Sequence, residues 1–137
     1  MGTRSTIALE FADGTVEQVY CHWDGYLENN GKILQAHYMD PFKVKALLAL
    51  GGFSSLCATV EATAETAYTQ RGEDISINKF KDYDHFLIDG QWEEYDYILR
   101  NDNGVAVWFV SDHDGDFVTL ESAIMDEQDR IAQEETA

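Results

Sequence analysis

Apolar and polar residues alternate in two runs near the start of the chain, which is the pattern of half-buried strands. Residues 6–11 (Thr-Ile-Ala-Leu-Glu-Phe) alternate, and residues 15–23 alternate again after a short break. The break is Asp13-Gly14, a pair that favours a tight turn. The two runs therefore predict a β-hairpin.

A second hairpin is predicted later in the chain, from residues 92–100 and 105–111, around the turn 101–104 (Asn-Asp-Asn-Gly). Two further strands are weaker. Residues 59–68 contain Ala and Glu, which suit a helix, but the regularly spaced threonines lower helix propensity and favour a strand. Ile75 and Ile77 indicate a short strand after a loop at 70–74.

The clearest helix is predicted at residues 40–50. Asp40 is a good N-cap, Pro41 suits the first turn, and Gly51-Gly52 ends the helix. Shorter helical segments are predicted at 32–39 and 82–87, and an acidic helix at 120–133, after a charged turn at 112–116.

These elements predict an α+β fold in a single domain, residues 1–137. The expected architecture is an antiparallel β-sheet built from two hairpins, with helices packed on one side and an acidic C-terminal helix. A chain of 137 residues that is 45% hydrophobic is long enough to bury one core.

Targeting and redox features point to a cytosolic protein. No run of 18 apolar residues exists, so no membrane span is expected, and the N-terminus lacks the apolar segment of a signal peptide. The two cysteines, Cys21 and Cys57, are too few for a disulfide scaffold and are expected to stay reduced.

Charge sets this chain apart. It has 26 acidic and 9 basic residues, a net charge of −17, and most of the excess lies in residues 82–137, where Arg100 and Arg130 are the only bases. Such a field repels nucleic acids and membrane surfaces and attracts basic partners. Plain solubility is the alternative explanation.

The stretch 16–26 concentrates reactive side chains, namely Cys21, His22, Trp23, Asp24 and Tyr26. Strand alternation puts Cys21 and Trp23 on one face and His22 and Asp24 on the other. Cys21 and His22 therefore cannot form a thiolate pair with each other. We expect Cys21 and Trp23 to pack in the core while His22 and Asp24 shape the turn; an enzyme or metal-binding module centred on Cys21, His22 and Asp24 is the alternative.

Metal motifs are weak. Asp112, Asp114 and Asp116 resemble part of a calcium loop, but the glycine falls at position 4 and position 12 is Ala123, so the EF-hand pattern fails. Loose cation binding by the three carboxylates stays open. No cofactor, resident metal or catalytic residue is predicted.

The acidic helix supports a sharper hypothesis. Its carboxylates span about 21 Å at 1.5 Å per residue, a length over which duplex DNA carries about twelve charges. The helix reaches about half of that density, and acids of the second hairpin and of the 112–116 turn add to it. An apolar stripe of Leu120, Ile124 and Ile131 is expected to dock the helix. Such a protein could occupy a nucleic-acid groove; an ordinary solvated helix is the alternative.

Several short motifs are spread over most of the chain. They are Ser5-Thr6-Ile7, Asp13-Gly14-Thr15-Val16, Tyr20-Cys21-His22-Trp23-Asp24-Gly25-Tyr26, Gly31-Lys32-Ile33-Leu34, His37-Tyr38, Ser54-Ser55-Leu56, Arg71-Gly72-Glu73 and Trp92-Glu93-Glu94-Tyr95. Together they resemble a family of small acidic proteins encoded by phages and prophages, from which Leu27 departs because a proline is expected after the tyrosine. The resemblance implies a phage setting, in which small acidic proteins often antagonise host restriction, CRISPR or other nucleic-acid enzymes.

The functional hypothesis is a non-enzymatic inhibitor that acts in the host cytoplasm. It would bind a basic host protein, a nuclease or CRISPR effector, and would contact neither nucleic acid nor membrane directly. The expected electrostatic contacts are Asp112, Asp114, Asp116, Glu121, Asp126, Glu127 and Asp129. His22, Trp23, Asp24 and Tyr26 form a second contact or a structural corner, and a phage structural or regulatory protein is a further alternative.

Overall fold

The structure, a computed structural model, describes residues 3–90, 93–112 and 116–136, without the side chains of residues 112 and 136. Its strands are β1 (Ser5–Glu10), β2 (Val16–Cys21), β3 (Asn78–Phe80), β4 (Tyr95–Asp102), β5 (Val105–Asp112) and β6 (Val118–Thr119). Its helices are α1 (Lys32–His37), α2 (Pro41–Leu48), α3 (Val60–Ala64), α4 (Tyr83–Asp89) and α5 (Leu120–Thr136), with a π-helical turn at Leu27–Gly31 and a 3₁₀ turn at Tyr68–Arg71.

All six strands join one sheet in the order β3-β2-β1-β4-β5-β6. The two predicted hairpins are confirmed as β1–β2 and β4–β5. The α+β class and the C-terminal helix are confirmed as well. The sheet is mixed, however, because β1 pairs in parallel with β4. A long connection between β2 and β4 makes this possible, since parallel neighbours need a crossover, and hairpin patterns do not specify how two hairpins join.

One face of the sheet carries the larger core. Alternate residues such as Ile7, Val19, Tyr97 and Trp108 are buried there. Helices α1, α2 and α5 cover this face and contribute buried Leu34, Val44, Leu47, Leu48 and Leu120. The expected apolar stripe of α5 is confirmed at Leu120 and Ile124, and Ile131 is half-buried.

The opposite face is also covered, so the helices do not all lie on one side as expected. Phe86 of α4 packs against Ala8, Val16 and Ile98, next to Phe80 of β3. The central strands are therefore buried on both faces, as the adjacent residues Ile7 and Ala8 show. Strict alternation of apolar and polar residues is not needed in such strands.

A polar network lies buried on the same second face. Thr6 donates to Asp96 over 2.6 Å, and Gln18 donates both to Thr6 and to the carbonyl of Gly90. Because buried polar groups are costly unless they are hydrogen-bonded, this network ties β1, β2 and β4 to the end of α4.

The clearest predicted helix is confirmed. Helix α2 begins after Asp40, whose carboxylate accepts a hydrogen bond from the amide of Phe42. It ends before Gly51, which adopts a φ of +74°. The helical turn predicted at 82–87 is also present. It is α4, and Asp82 is its N-cap residue.

Two strand predictions are wrong. The stretch 59–68 contains α3, because Thr59 caps its first turn and the hydroxyls of Thr63 and Thr66 donate to backbone carbonyls one turn back. Thr63 is also fully buried and accepts a hydrogen bond from the amide of Cys57, so tertiary contacts override the low helix propensity of threonine. The strand expected at Ile75 and Ile77 begins three residues later, at Asn78, where it pairs with β2.

Candidate functional site

The chain turns sharply after β2, in a segment that we call the β2 corner (residues 21–31). Asp24 adopts a left-handed φ of 58°, and the amide of Gly25 donates to the carbonyl of Thr3 over 2.8 Å. The Tyr97 hydroxyl donates to the carbonyl of Gly25 over 2.6 Å. A Cβ on Gly25 would lie only 2.6 Å from the Cβ of Ser5, so the corner admits no larger residue here.

Asn30 anchors the corner from inside. It is fully buried, and its side-chain amide donates to the hydroxyl of Ser5 and to the sulfur of Cys21. Its backbone amide donates to the carbonyl of Asp24. The prediction that Cys21 is a core residue is confirmed, and Asn30, which sequence reasoning missed, holds it in place.

Trp23 does not pack in the core, contrary to expectation. It is 42% exposed, and Tyr26 is 41% exposed. Strand β2 ends at Cys21, and the amides of His22 and Trp23 then pair with the loop carbonyls of Phe53 and Ser54. Strand alternation therefore does not extend to Trp23, and its side chain is not directed into the core with that of Cys21.

His22 is part of an aromatic group on this corner. Its Nδ1 lies 2.8 Å from the hydroxyl of Tyr20, and its ring meets Trp23 edge-on at 4.5 Å between centroids. The ring of Tyr20 also faces Tyr68, 6.4 Å away. We call His22, Trp23 and Tyr26 the aromatic corner: three side chains at the surface on a backbone fixed from within.

The nucleophile interpretation of Cys21 finds no support in this geometry. Burial raises the pKa of the Cys21 thiol, which favours the unreactive protonated form. The imidazole of His22 is hydrogen-bonded to Tyr20 instead of the thiol. Within residues 3–90, 93–112 and 116–136, no three His, Cys, Asp or Glu side chains converge as metal ligands would.

Thiol labelling checks this placement. We expect Cys57, which is half-exposed, to react with a thiol reagent in the folded protein, and Cys21 to react only after unfolding. Cys57→Ser should remove the fast reaction without affecting the slow one. Rapid labelling of Cys21 in folded Cys57→Ser would contradict a structural role.

The predicted acidic residues fall into three groups. The side chain of Asp112 and the whole of Asp114 lie outside the described residues, as does most of the turn considered for calcium. Asp116, Glu121, Asp126 and Asp129 are exposed. Glu127 is partly buried and is ion-paired with Arg130, which lowers the pKa of its carboxyl through a hydrogen bond.

The carboxylates of α5 do not form a single row. At about 100° per residue, Asp126 and Asp129 point away from the sheet, opposite Leu120 and Ile124. Glu121 and Glu135 lie on one flank, and Glu127 and Glu134 lie on the other. Arg130 binds both Glu127 and Glu134, so the second flank is largely neutralised.

Both arginines of the acidic half are engaged by carboxylates. Arg100 binds Glu10 through two hydrogen bonds of 3.2 Å and lies over the ring of Tyr83. Arg130 is held on α5. Neither arginine is therefore available to balance the other exposed carboxylates of this half, which include Asp84, Glu94, Asp102, Asp116, Glu121, Asp126, Asp129 and Glu135.

The strands of the two sequence halves lie on opposite sides of the sheet, whereas α4, which also belongs to the acidic half, packs beside β3. Strands β3, β2 and β1 come from the nearly balanced first half, and β4, β5 and β6 come from the acidic half. The boundary runs between β1 and β4. The edge strand β3 and its end carry Lys79 and Lys81, while the opposite edge continues into α5.

The β2 corner and α5 are neighbours in the structure. The π-helical turn of the β2 corner packs against the first turn of α5, and a Cβ placed on Gly31 would lie 3.3 Å from Leu120 Cδ1. The structure thus joins the β2 corner to the start of the acidic helix, although the two are separated by about ninety residues in the sequence.

The fold places the chain in the α+β class. No protein-family model, curated protein or solved structure matches it. Among the described residues, no helix combines the length and the apolar character needed to cross a membrane.

Proposed function

We propose that this chain is a phage-encoded acidic protein that binds a basic host protein in the host cytoplasm and blocks its nucleic-acid site. The partner would be a defence enzyme of the restriction or CRISPR type. The observation that carries the proposal is the strongly acidic second half of the chain, residues 82–137, whose two arginines are both used internally. Asp116, Glu121, Asp126 and Asp129 supply exposed charge, and the contacts predicted for Asp112 and Asp114 lie outside the described side chains.

Electrostatics favour this kind of target. A nucleic-acid site is rich in Lys and Arg and holds counterions that an acidic ligand releases on binding. Carboxylates fixed on a folded surface can replace phosphates without the flexibility of a disordered acidic tail. Excess negative charge also speeds the encounter with a basic partner.

Charge density shows how much surface is required. Helix α5 is about 25 Å long at 1.5 Å per residue, and duplex DNA of that length carries about fifteen charges. After Arg130 is subtracted, α5 has a net charge of −5. The helix alone is therefore too weakly charged, and the contact must extend to carboxylates outside α5, such as Asp102 and Glu94 on the β4 side.

The aromatic corner is assigned a second, apolar contact. Aromatic side chains are frequent at the energetically important positions of interfaces, and Trp23 and Tyr26 are exposed on a rigid backbone. Asp24 has a different role, because its left-handed conformation forms the turn itself. His22 supports Trp23 through the edge-on ring contact.

Salt dependence distinguishes the two contacts. With the chain immobilised and a host lysate passed over it, the partner should be released steeply as salt rises from about 50 to 200 mM, since each released counterion adds to the slope. Elution that does not change with salt would contradict the acidic contact and would indicate an apolar interface at Trp23 and Tyr26. If the interface is apolar, Trp23→Ala should weaken the capture of the partner.

A further inference from the structure

Strand β5 has an open edge. Its outer side pairs with β6 only at Phe109 and Val110, which face Thr119 and Val118. Residues 105–108 have no strand beyond them in the described part of the chain. The first turn of α5 lies next to this edge near Trp108, so the open part of the edge is its Val105 end.

This edge lacks the sequence features that usually prevent strand addition. Natural edge strands are commonly protected by a charged residue, a proline or a bulge, or are covered by a helix or loop. Residues 105–108 read Val-Ala-Val-Trp, without a charged residue or a proline, and Val105 is 62% exposed. The β4–β5 pairing is regular through this segment.

A cavity of about 260 Å³ adjoins the open edge. It is lined by Gln35, Met39, Thr119 and Glu121 together with residues 105–108. It is open on one side and has room for a long side chain. A second cavity of about 420 Å³, near Phe11 and Pro41, shares Ala106 with it.

We propose that β5 accepts an additional strand along residues 105–108, supplied by an extended basic segment of a partner protein. Alternate side chains of an added strand point to the same face, so every second one would enter the cavity. A Lys or Arg there would reach the exposed carboxylate of Glu121. Backbone pairing would supply affinity and the cavity would supply selectivity, as in other cases of strand addition.

Charge selects this occupant over a second copy of the chain. Two chains of net charge −17 repel each other. A basic segment is attracted by the same negative charge.

The inference shares one premise with the proposed function, namely that the partner is a basic protein.

The probe is an eight-residue peptide in which lysine and valine alternate. Its binding is measured from the amide NMR shifts of the chain. We expect shift changes at residues 105–108 and at Glu121. A peptide of the same sequence, N-methylated at alternate positions so that it cannot pair, should bind about tenfold more weakly, because it loses several hydrogen bonds.

Two lysine substitutions complete the test. Val105→Lys places a cation on the open edge and should weaken binding of the unmodified peptide severalfold. Ile88→Lys also replaces an exposed apolar residue by lysine, but on α4, away from the open edge. Ile88 is 79% exposed, and this variant should leave binding unchanged. Both positions are exposed, so the amide spectra of both variants should show the same fold.

Three results would overturn strand addition by a basic segment. They are the absence of shifts at residues 105–108, equal binding of the N-methylated peptide, and a dimer of the free chain that Val105→Lys dissolves. The first two leave the proposed function intact, provided that a host protein is still released steeply by salt. Loss of that salt sensitivity alone would count against the proposed function and not against the open edge.

Discussion

Changing Asp126 and Asp129 together to lysine is expected to weaken binding of the captured host protein about tenfold or more. Both carboxylates are exposed on the side of α5 that faces away from the sheet. Each reversal replaces an attraction by a repulsion, and an exposed charge contributes roughly 0.2–1 kcal/mol. Since 1.4 kcal/mol corresponds to tenfold in affinity, two reversals reach that size. Titration calorimetry with the purified partner measures it.

The control is a second double reversal, Glu61→Lys with Glu65→Lys. These two residues are exposed on and just after α3, in the nearly balanced half of the chain. This variant changes the net charge by the same amount and should bind almost normally. If both double variants lose affinity equally, the binding depends on overall charge and not on the outer side of α5.

Gly25→Ala is expected to lower the free energy of unfolding by about 2–3 kcal/mol, the upper range for overpacking. The new methyl group would meet the Cβ of Ser5 at 2.6 Å and the carbonyl oxygen of Thr3 at 2.9 Å. Moving the backbone away would stretch the hydrogen bonds that Gly25 forms with Thr3 and Tyr97. Urea unfolding, followed by tryptophan fluorescence, measures the loss.

Gly72→Ala separates crowding from backbone strain. Gly72 has a φ of +83° and no atom within 4 Å of where a Cβ would lie, so alanine there should cost only the strain of a left-handed backbone, about 1–2 kcal/mol. Equal losses at Gly25 and Gly72 would mean that the β2 corner yields easily. The orientation of Trp23 and Tyr26 would then not be fixed by the fold.

Local sequence signals predicted the elements that are stabilised locally. The hairpin turns and α2 followed from Asp13-Gly14, from Asn103-Gly104 and from the Asp40-Pro41 start, because each depends on backbone preferences of neighbouring residues. Helix α3 was missed because tertiary contacts, such as the bond from the amide of Cys57 to buried Thr63, override an unfavourable propensity. The parallel β1–β4 pairing joins segments ninety residues apart, and no local pattern encodes it.

The candidate site was predicted only where it depends on local sequence signals. Exposed Asp126 and Asp129 follow from the apolar stripe of α5, which fixes the side that faces the core. The exposure of Trp23 was missed because β2 ends at Cys21, and that end depends on contacts with Phe53 and Ser54. The buried amide of Asn30 was not predicted, since its partners Ser5 and Cys21 lie in other elements.

Competition with nucleic acid tests the central proposal most directly. The purified host partner is bound to its own duplex or guide substrate, and the chain is added at fixed salt. We predict mutual exclusion, with the apparent Kd of the chain rising in proportion to the nucleic-acid concentration. A stable complex that holds the partner, the nucleic acid and the chain at the same time would contradict it.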